Sequence, residues 1–173
     1  MKVFLIGYMS VGKTSLGKKI ASRLGASFID LDHFIEKSEG KTISEIWSAH
    51  SEGYFRDLEN KALQEIAKDE NELVISTGGG TPCFADNLSF MLDKGVVVWL
   101  QLDAPQIISR LGQSGSSRPL IAGKSPEELE DFVVGSLAER SAYYEKADIH
   151  FDAHDVNAER LGTLVEKIKG YSR

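Results

Sequence analysis

Short apolar segments alternate with amphipathic segments along the whole chain. The runs at residues 2–6 and 96–102 are almost entirely apolar and rich in β-branched and aromatic side chains, which is typical of strands buried on both faces. Between such runs, apolar residues recur at helical spacing, as at Leu16, Ile20 and Leu24. This alternation predicts an α/β fold in three layers, with a parallel sheet between two layers of helices.

The same pattern assigns the segments. Strands are predicted at residues 2–6, 27–31, 72–76, 96–102 and 149–151. Helices are predicted at 13–24, 82–93, 105–111, 126–144 and 157–169, with a further helical region over 32–68 that Gly40 and Gly53 interrupt. Residues 112–124 contain three glycines and are predicted to form a mobile loop. A chain of 173 residues suits one domain, and ligands on a parallel sheet bind beyond the carboxyl ends of its strands.

The composition limits the classes of molecule that the protein is expected to bind. A formal net charge of −6 disfavours non-specific binding to nucleic acid or to anionic membranes. No apolar run is long enough to span a bilayer, and the first residues are predicted to be a buried strand and not a signal peptide. We therefore expect a cytoplasmic protein; we also expect a monomer, although the sequence itself does not give the oligomeric state. Because Cys83 is the only cysteine, a disulfide within the chain and a zinc cluster are excluded. Its side chain is either a small residue at a helix start, which we favour, or a catalytic thiol.

The segment after the first strand matches the phosphate-binding pattern G-x-x-x-x-G-K-[ST], and it stands between a strand and a helix as that pattern requires. Glycines let the backbone N–H groups turn toward phosphate oxygens, and the helix N-terminus adds partial positive charge. We expect a nucleoside triphosphate, ATP, with Lys13 at its terminal phosphates and the Thr14 hydroxyl on Mg²⁺. A glycine-rich turn without a ligand is the alternative. The expected nucleotide-binding residues of this segment are Gly7, Tyr8, Met9, Ser10, Val11, Gly12, Lys13, Thr14 and Ser15.

Two carboxylates, Asp30 and Asp32, lie at the end of the second predicted strand. If the strand ends near them, one carboxylate can serve a metal ion while the other meets an acceptor hydroxyl. Asp32 taken alone is equally suited to capping the helix that follows. The sequence leaves both roles open.

Arg56 and Glu59 are three residues apart on a predicted helix and can form an ion pair. Many such pairs lie on a solvated surface. Here aromatic residues precede Arg56, which favours a partly buried guanidinium that presents a fork to a carboxylate or phosphate. Arg140 on the long helix is either a second anion clamp or a surface charge.

Three glycines, Gly78, Gly79 and Gly80, follow the third strand, and they either admit a ligand to the backbone N–H groups or form only a flexible turn. The predicted mobile loop carries Arg118, with Arg110 upstream of it. Closure of such a loop excludes water and brings positive charge to a transferring phosphate.

Taken in this order, the motifs resemble those of the shikimate kinases over nearly the whole chain. The phosphate loop is shared by many NTPases, whereas F-R-x-x-E, G-G-G and R-P-L at these separations are more particular to this family. The resemblance implies a P-loop kinase with a nucleoside-monophosphate-kinase-like fold, a five-stranded parallel sheet, a lid near 112–124 and a substrate-binding subdomain near 32–62. The residues that carry it are the segment 7–14, Asp30, Asp32, Phe55, Arg56, Glu59, Gly78, Gly79, Gly80, Arg118, Pro119, Leu120, Glu139 and Arg140.

The resemblance also implies a reaction, the phosphorylation of the 3-hydroxyl of shikimate by ATP with Mg²⁺, in the pathway to chorismate and the aromatic amino acids. By position, Lys13, Asp32 and Arg118 are the catalytic residues, and Asp32 contacts the acceptor hydroxyls as base or orienting group. Asp30 holds Mg²⁺ through water beside Thr14. The remaining roles are a carboxylate clamp of Arg56 and Arg140, shikimate binding by the N–H groups of Gly78, Gly79 and Gly80, closure of Arg118 on the phosphates, and a place near the nucleotide for Arg110.

The chain departs from the family at two places. Ser10 stands where the family usually has a glycine, and it is small enough to keep the curl of the loop. Residues 154–157 lack the arginine and proline often found beside the adenine, so no adenine contacts are assigned there.

Two other functions compete with this prediction. Another small-molecule kinase of the same fold, such as a gluconate kinase, is the nearest alternative, and the Arg56–Glu59 pair with the three-glycine turn disfavours it. A non-catalytic nucleotide-binding protein is expected to lack Lys13, Asp32 or Arg118, and this chain has all three.

Overall fold

The computed structural model describes residues 1–113 and 120–171 of the chain. They form a five-stranded sheet in the order β2-β3-β1-β4-β5, in which every neighbouring pair is parallel. The predicted α/β class and the five-stranded parallel sheet are therefore confirmed. The strands are β1 (Lys2–Ile6), β2 (Ser27–Asp30), β3 (Leu73–Ser76), β4 (Val96–Gln101) and β5 (Ile149–Asp152); the helices are α1 (Lys13–Leu24), α2 (Leu31–Glu39), α3 (Ile43–Ala49), α4 (Glu52–Ala67), α5 (Asn87–Lys94), α6 (Ala104–Gln113), α7 (Pro126–Tyr144) and α8 (Ala158–Lys169).

Helices cover both faces of the sheet because successive side chains of a strand point to opposite sides. In the central strand β1, Val3 and Leu5 face a core that also receives side chains from α1, α6 and α8. Phe4 and Ile6 face the other core, with side chains from α2, α3, α4 and α5. All four of these β1 side chains are buried, which explains why the strand has no alternating pattern of polar residues.

Two predicted helix boundaries are wrong. The helix predicted over 82–93 is a 3₁₀ turn, Thr81–Cys83, followed by α5, because Phe84 is extended and Ala85 has a φ of 49°. Gly53 does not interrupt the helical region predicted over 32–68, since it lies in the first turn of α4. The break comes at Ser51, whose hydroxyl accepts from the Tyr54 N–H and caps that helix. Gly40 does end α2, with a φ of 64°.

The predicted mobile loop overlaps the end of a helix. Helix α6 runs to Gln113, so Gly112 is helical and the lid predicted over 112–124 begins too early. Arg118 and Pro119 lie outside the described residues. Helix α7 begins at Pro126 as predicted, because Ser125 and Glu128 form a capping box. Within residues 1–113 and 120–171, no helix combines the length and the apolar character needed to cross a membrane.

Candidate active site

A cavity of about 560 Å³ opens where the strands β1, β2 and β3 end. All of the residues predicted to bind an acceptor lie in its wall, although the chain brings them from α2, α4, the turn after β3 and α7. A cavity of this size suits a small organic molecule. The predicted residues that line it are Asp32, Arg56, Gly78, Gly79, Gly80 and Arg140.

The loop between β1 and α1 curls because three of its residues have positive φ angles. These are 135° at Gly7, 64° at Ser10 and 102° at Gly12. Gly7 also has no room for a side chain, since a Cβ would lie 2.5 Å from the Leu100 carbonyl oxygen. Ser10 adopts the left-handed conformation that residues other than glycine, asparagine and aspartate rarely take. The curl therefore survives at Ser10, at a cost in backbone energy.

Two cationic side chains lie against the backbone of this loop. The Lys13 Nζ donates to the Gly7 carbonyl oxygen at 2.7 Å and to the Tyr8 carbonyl oxygen at 2.8 Å. The Arg110 Nη1, from α6, donates to the carbonyl oxygens of Ser10 at 3.3 Å and Val11 at 3.2 Å. Arg110 is thus brought to the phosphate loop from 100 positions away.

The other side chains of the loop divide into two groups. Tyr8, Met9 and Val11 are buried, so they offer a ligand in the curl only their backbone groups. Thr14 and Ser15 are exposed on the first turn of α1. Ligand contact at the loop would therefore come from N–H groups, Lys13 and these two hydroxyls.

Thr14 and Asp30 meet at the same edge of the sheet. The Thr14 hydroxyl donates to Asp30 Oδ2 at 2.7 Å, and Asp30 Oδ1 accepts from the His33 N–H at 3.4 Å. Asp30 is therefore the N-cap of α2, and the capping role considered for Asp32 belongs to the earlier aspartate.

The Thr14 hydroxyl and the Asp30 carboxylate suit Mg²⁺ as a site with two protein oxygens. Among the residues that the structure describes, no three or more His, Cys, Asp or Glu side chains are grouped so that they could hold a metal. Magnesium characteristically takes one or two protein oxygens and completes its shell with water and substrate phosphates. The hydroxyl and carboxylate of Thr14 and Asp30, beside a phosphate loop, fit that mode of binding.

Asp32 lies in the first turn of α2, half-buried, in the cavity wall. Its Oδ1 lies 3.5 Å from where a Cβ on Gly78 would be. The carboxylate of Asp32 and the backbone of the three-glycine turn are thus neighbours, so one small ligand can reach both.

The Arg56 guanidinium is held by two carboxylates and an aromatic ring. Its Nη1 donates to Glu59 Oε2 at 2.6 Å, and its Nη2 and Nε donate to Glu52 Oε1 at 3.0 and 3.3 Å. The Phe84 ring centroid lies 4.1 Å from Cζ. The side chains of Arg56 and Glu59 are 10% and 1% exposed, so the predicted pair is a buried contact and not a solvated surface pair.

Gly78 and Gly80 have no room for side chains because charged groups of the site fold against them, and Gly79 has little room. A Cβ on Gly80 would lie 2.8 Å from Arg56 Nη1, and a Cβ on Gly78 would lie 2.6 Å from Glu59 Oε1. At Gly79 the nearest atoms are the Met9 backbone nitrogen at 3.3 Å and Arg140 Nη1 at 3.4 Å. The turn is therefore a closely packed surface, and a merely flexible turn does not account for it.

Arg140 reaches the cavity from α7, with its Cζ 5.2 Å from the centroid of the Tyr8 ring. The Tyr8 hydroxyl is 2.6 Å from the Ser136 hydroxyl, one turn earlier on α7. The Tyr144 hydroxyl donates to the Gly79 carbonyl oxygen at 2.5 Å, and burial raises the pKa of Tyr144, which keeps it protonated. These contacts fix α7 against the two loops, so Arg140 belongs to the cavity wall and not to the outer surface.

Cys83 is the last residue of the 3₁₀ turn and is half-buried. Burial raises the pKa of its thiol, against the opposing effect of the nearby Arg140 and Arg56 guanidiniums. A protonated thiol is a poor nucleophile, which favours the interpretation of Cys83 as a small packing residue.

Several residues that shape the site were not predicted. Glu52 is four residues before Arg56, so helical spacing was the available signal. Thr81 and Phe84 carry no comparable signal, because their contacts depend on how the turn packs on α4. Leu120, two positions after Arg118 in the sequence, also lines the cavity.

The loop after β5, where no adenine contacts were assigned, is held by an arginine from the following helix. Arg160 donates to the carbonyl oxygens of His154 and Asp155, and its Nη2 donates to the Asp152 carbonyl oxygen at 2.6 Å. His154 in turn contacts Asp152 and, at 3.3 Å, Asp103 after β4. An arginine therefore does fix this loop, from α8 instead of from the loop itself.

Comparison with known proteins agrees with this arrangement. A family model described as shikimate kinase matches residues 9–169. A shikimate kinase from Parabacteroides distasonis is 44% identical over 158 residues, covering 91% of each chain. The crystal structure of shikimate kinase from Bacteroides thetaiotaomicron has a TM-score of 0.88 and 38% identity, over 98% of this chain and 96% of that one.

Two further solved structures distinguish likeness within the family from likeness of fold alone. A shikimate kinase from Acinetobacter baumannii in complex with shikimate has a TM-score of 0.81 and 31% identity, over 97% of this chain and 90% of that one. A gluconokinase from Sinorhizobium meliloti has a TM-score of 0.57 and 18% identity over 99% of this chain and 97% of that one, a likeness of fold alone. Because the family model matches residues 9–169 and a relative 44% identical covers 91% of the chain, this chain belongs to the shikimate kinase family.

Proposed function

We propose that this chain transfers the γ-phosphate of ATP to the 3-hydroxyl of shikimate, giving shikimate 3-phosphate and ADP. The observation that carries the proposal is the single cavity in which Asp32, Arg56 and Arg140 meet the three-glycine turn beside the phosphate loop. It is supported by membership of the family and by the A. baumannii relative, whose structure is a complex with shikimate.

The charges of the cavity suit this acceptor. Shikimate is a small carboxylate with three hydroxyl groups, so it needs cations at one end and a hydroxyl-proton acceptor at the other. Arg56 and Arg140 are the cations in the wall, and Asp32 is the acceptor. The bracing of Arg56 by Glu52, Glu59 and Phe84 holds its fork in place before a ligand arrives, which lowers the entropy lost on binding.

At the other end of the site, the loop would hold the triphosphate. Lys13 would exchange the carbonyl oxygens of Gly7 and Tyr8 for the β- and γ-phosphates, while the backbone N–H groups of the curl would cradle them. Thr14 and Asp30 would hold Mg²⁺, Asp30 through water. The chemistry that Mg²⁺ would supply there is positive charge that offsets the negative charge developing during transfer.

The chemistry asked of Asp32 is modest. Phosphoryl transfer passes through a loose transition state, so the attacking hydroxyl needs orientation more than early deprotonation. Asp32 would accept the hydrogen bond of the 3-hydroxyl, aim its oxygen at the γ-phosphate and take the proton as the bond forms. Arg118 would close on the phosphates from the segment that ends at Leu120, a wall residue of the cavity.

A gluconate kinase of the same fold remains the competing function, and an ADP-release assay distinguishes the two. We expect turnover with ATP, Mg²⁺ and shikimate, and background rates with gluconate and with nucleoside monophosphates. Phosphorus NMR of the product would locate the phosphate at the 3-position, and light scattering would test the expected monomer. Turnover of gluconate in place of shikimate would contradict the proposal.

A further inference from the structure

We propose that Thr81 is a positioning residue for the acceptor: its hydroxyl fixes the Glu59 carboxylate, which fixes the Arg56 guanidinium against the substrate carboxylate. The inference rests on the proposed function, because it assigns to Thr81 a share of the affinity for a carboxylate acceptor. Thr81 touches neither reacting group, so it acts only through Glu59.

Both oxygens of the Glu59 carboxylate accept hydrogen bonds. Its side chain is 1% exposed, and each oxygen has a different partner. Oε1 accepts from the Thr81 hydroxyl at 2.6 Å, and Oε2 accepts from Arg56 Nη1 at 2.6 Å. A buried carboxylate that loses one of its hydrogen bonds rotates or recruits another donor, because an unsatisfied charged oxygen is costly. The rotation of Glu59, and with it the direction of Arg56, is therefore set from both ends.

Thr81 is itself held in place. It is fully buried, and its carbonyl oxygen accepts from Asn87 Nδ2 at 2.9 Å. Asn87, also fully buried, accepts at Oδ1 from Asn60 Nδ2 at 2.7 Å. Because Asn60 follows Glu59 on α4, the hydrogen bonds form a closed ring that begins and ends on that helix. The ring fixes the 3₁₀ turn on α4, so the Thr81 hydroxyl has one direction in which to donate.

The packing around Glu59 holds the carboxylate close to the three-glycine turn. Gly78 lies so close that a Cβ there would be 2.6 Å from Glu59 Oε1 and 2.9 Å from Thr81 Oγ1. Loss of the Thr81 hydroxyl would turn Oε1 toward the remaining donors, and Arg56 Nη1 would follow. We expect the acceptor carboxylate to bind about tenfold more weakly. This is the effect of losing one hydrogen bond between the displaced Arg56 guanidinium and that carboxylate.

The test compares the substitution of two buried threonines. Thr81→Val removes the hydroxyl and keeps the shape of the side chain. Thr77→Val is the matched control, because Thr77 is 3% exposed and its hydroxyl donates to the Leu5 carbonyl oxygen at 3.1 Å and not to Glu59. Thr81→Ser keeps the hydroxyl and serves as the rescue.

For Thr81→Val we expect the KM for shikimate to rise about tenfold, with kcat and the KM for ATP within about twofold of the unaltered protein. Thr77→Val lowers the melting temperature and leaves the KM for shikimate unchanged, and Thr81→Ser restores it. If Thr81→Val does not fold, as judged by circular dichroism, Thr81→Ala replaces it with the same expectation.

Three outcomes would overturn the role of Thr81: an unchanged KM for shikimate in the variant that lacks the hydroxyl, an equal rise in Thr77→Val, or no recovery in Thr81→Ser. Each of these presupposes that the unaltered protein phosphorylates shikimate. Failure of the unaltered protein to do so would instead contradict the proposed function, so the two failures are distinguishable.

Discussion

The phosphate loop and the acceptor cavity are built in opposite ways. The loop is one continuous segment between β1 and α1, and it offers mainly backbone groups, since the side chains of Tyr8 and Val11 are buried. The cavity is assembled from α2, α4, the turn after β3 and α7, and it offers charged side chains such as Asp32 and Arg56. The two meet at Gly79, which lies against the backbone of Met9.

The difference has a physical cause. A phosphate has the same shape in every nucleotide, so a fixed curl of N–H groups can bind it and local backbone geometry suffices. A hydroxylated carboxylate needs cations and an acceptor at specific separations, and no short segment can place them. The loop should therefore act on transfer to any acceptor, while the cavity should act only through one acceptor, on its orientation at Asp32 and on its affinity at Arg56. The variants below test that division.

The largest effect is expected from the one charged side chain of the loop. Lys13→Met should lower kcat by about 10³-fold, because a preorganised positive charge at the transferring phosphate is lost. Lys19→Met, on the exposed face of α1, is the control and should leave kcat unchanged. Steady-state kinetics with saturating shikimate measure both. A kcat reduced by less than about tenfold would remove Lys13 from the transfer step.

Next in size is the carboxylate of the cavity. Asp32→Ala should reduce phosphoryl transfer by at least ~10²-fold while ATP binding stays nearly intact, since Asp32 meets the acceptor and not the nucleotide. Asp93→Ala, at an exposed position of α5, is the control. Rapid-quench measurement of the transfer step, with ATP affinity from calorimetry, separates the two effects. Undiminished turnover would exclude Asp32 from the mechanism.

Arg56→Ala should act on affinity and not on chemistry. We expect the Kd for shikimate to rise about 30-fold or more, because the variant loses the guanidinium and leaves Glu59 buried without its partner. Lys61→Ala, exposed on the same helix, is the control. Calorimetry measures the binding, and an unchanged shikimate affinity would rule out the carboxylate clamp.

A smaller effect is expected at the strained residue of the loop. Ser10→Gly should stabilise the fold by about 0.5–1 kcal/mol, because glycine takes the φ of 64° without steric cost. The corresponding rise in melting temperature is about 1–4 °C. Ser22→Gly, within α1, is the control and should lower the melting temperature instead. A melting temperature that falls with Ser10→Gly would show that the serine side chain supports the curl.

The smallest effect concerns the link between the loops after β4 and β5. The hydrogen bonds to Asp152 and Asp103 raise the pKa of His154 above its ordinary 6.5, and those with His154 lower the pKa of Asp152. The His154 contribution to stability is therefore complete below pH 6.5 and disappears as the pH rises through the raised pKa. NMR titration should give a pKa above 6.5 that falls in Asp103→Asn. An unshifted His154 in the unaltered protein would show that the link does not form in solution.

The sequence by itself determined the three-layer fold and the phosphate loop. All six residues that it predicted to bind the acceptor lie in the cavity wall. Strand and helix periodicity depends on burial, which the order of apolar residues records, and the loop depends on glycines at fixed spacing. Only the tertiary structure decided that Asp30 caps α2, that Gly80 is a glycine because Arg56 packs on it, and that Thr81 holds Glu59. The last two facts depend on distances between groups far apart in the chain, which local sequence does not record, whereas the Asp30 cap is a local contact with His33 that depends on where β2 ends.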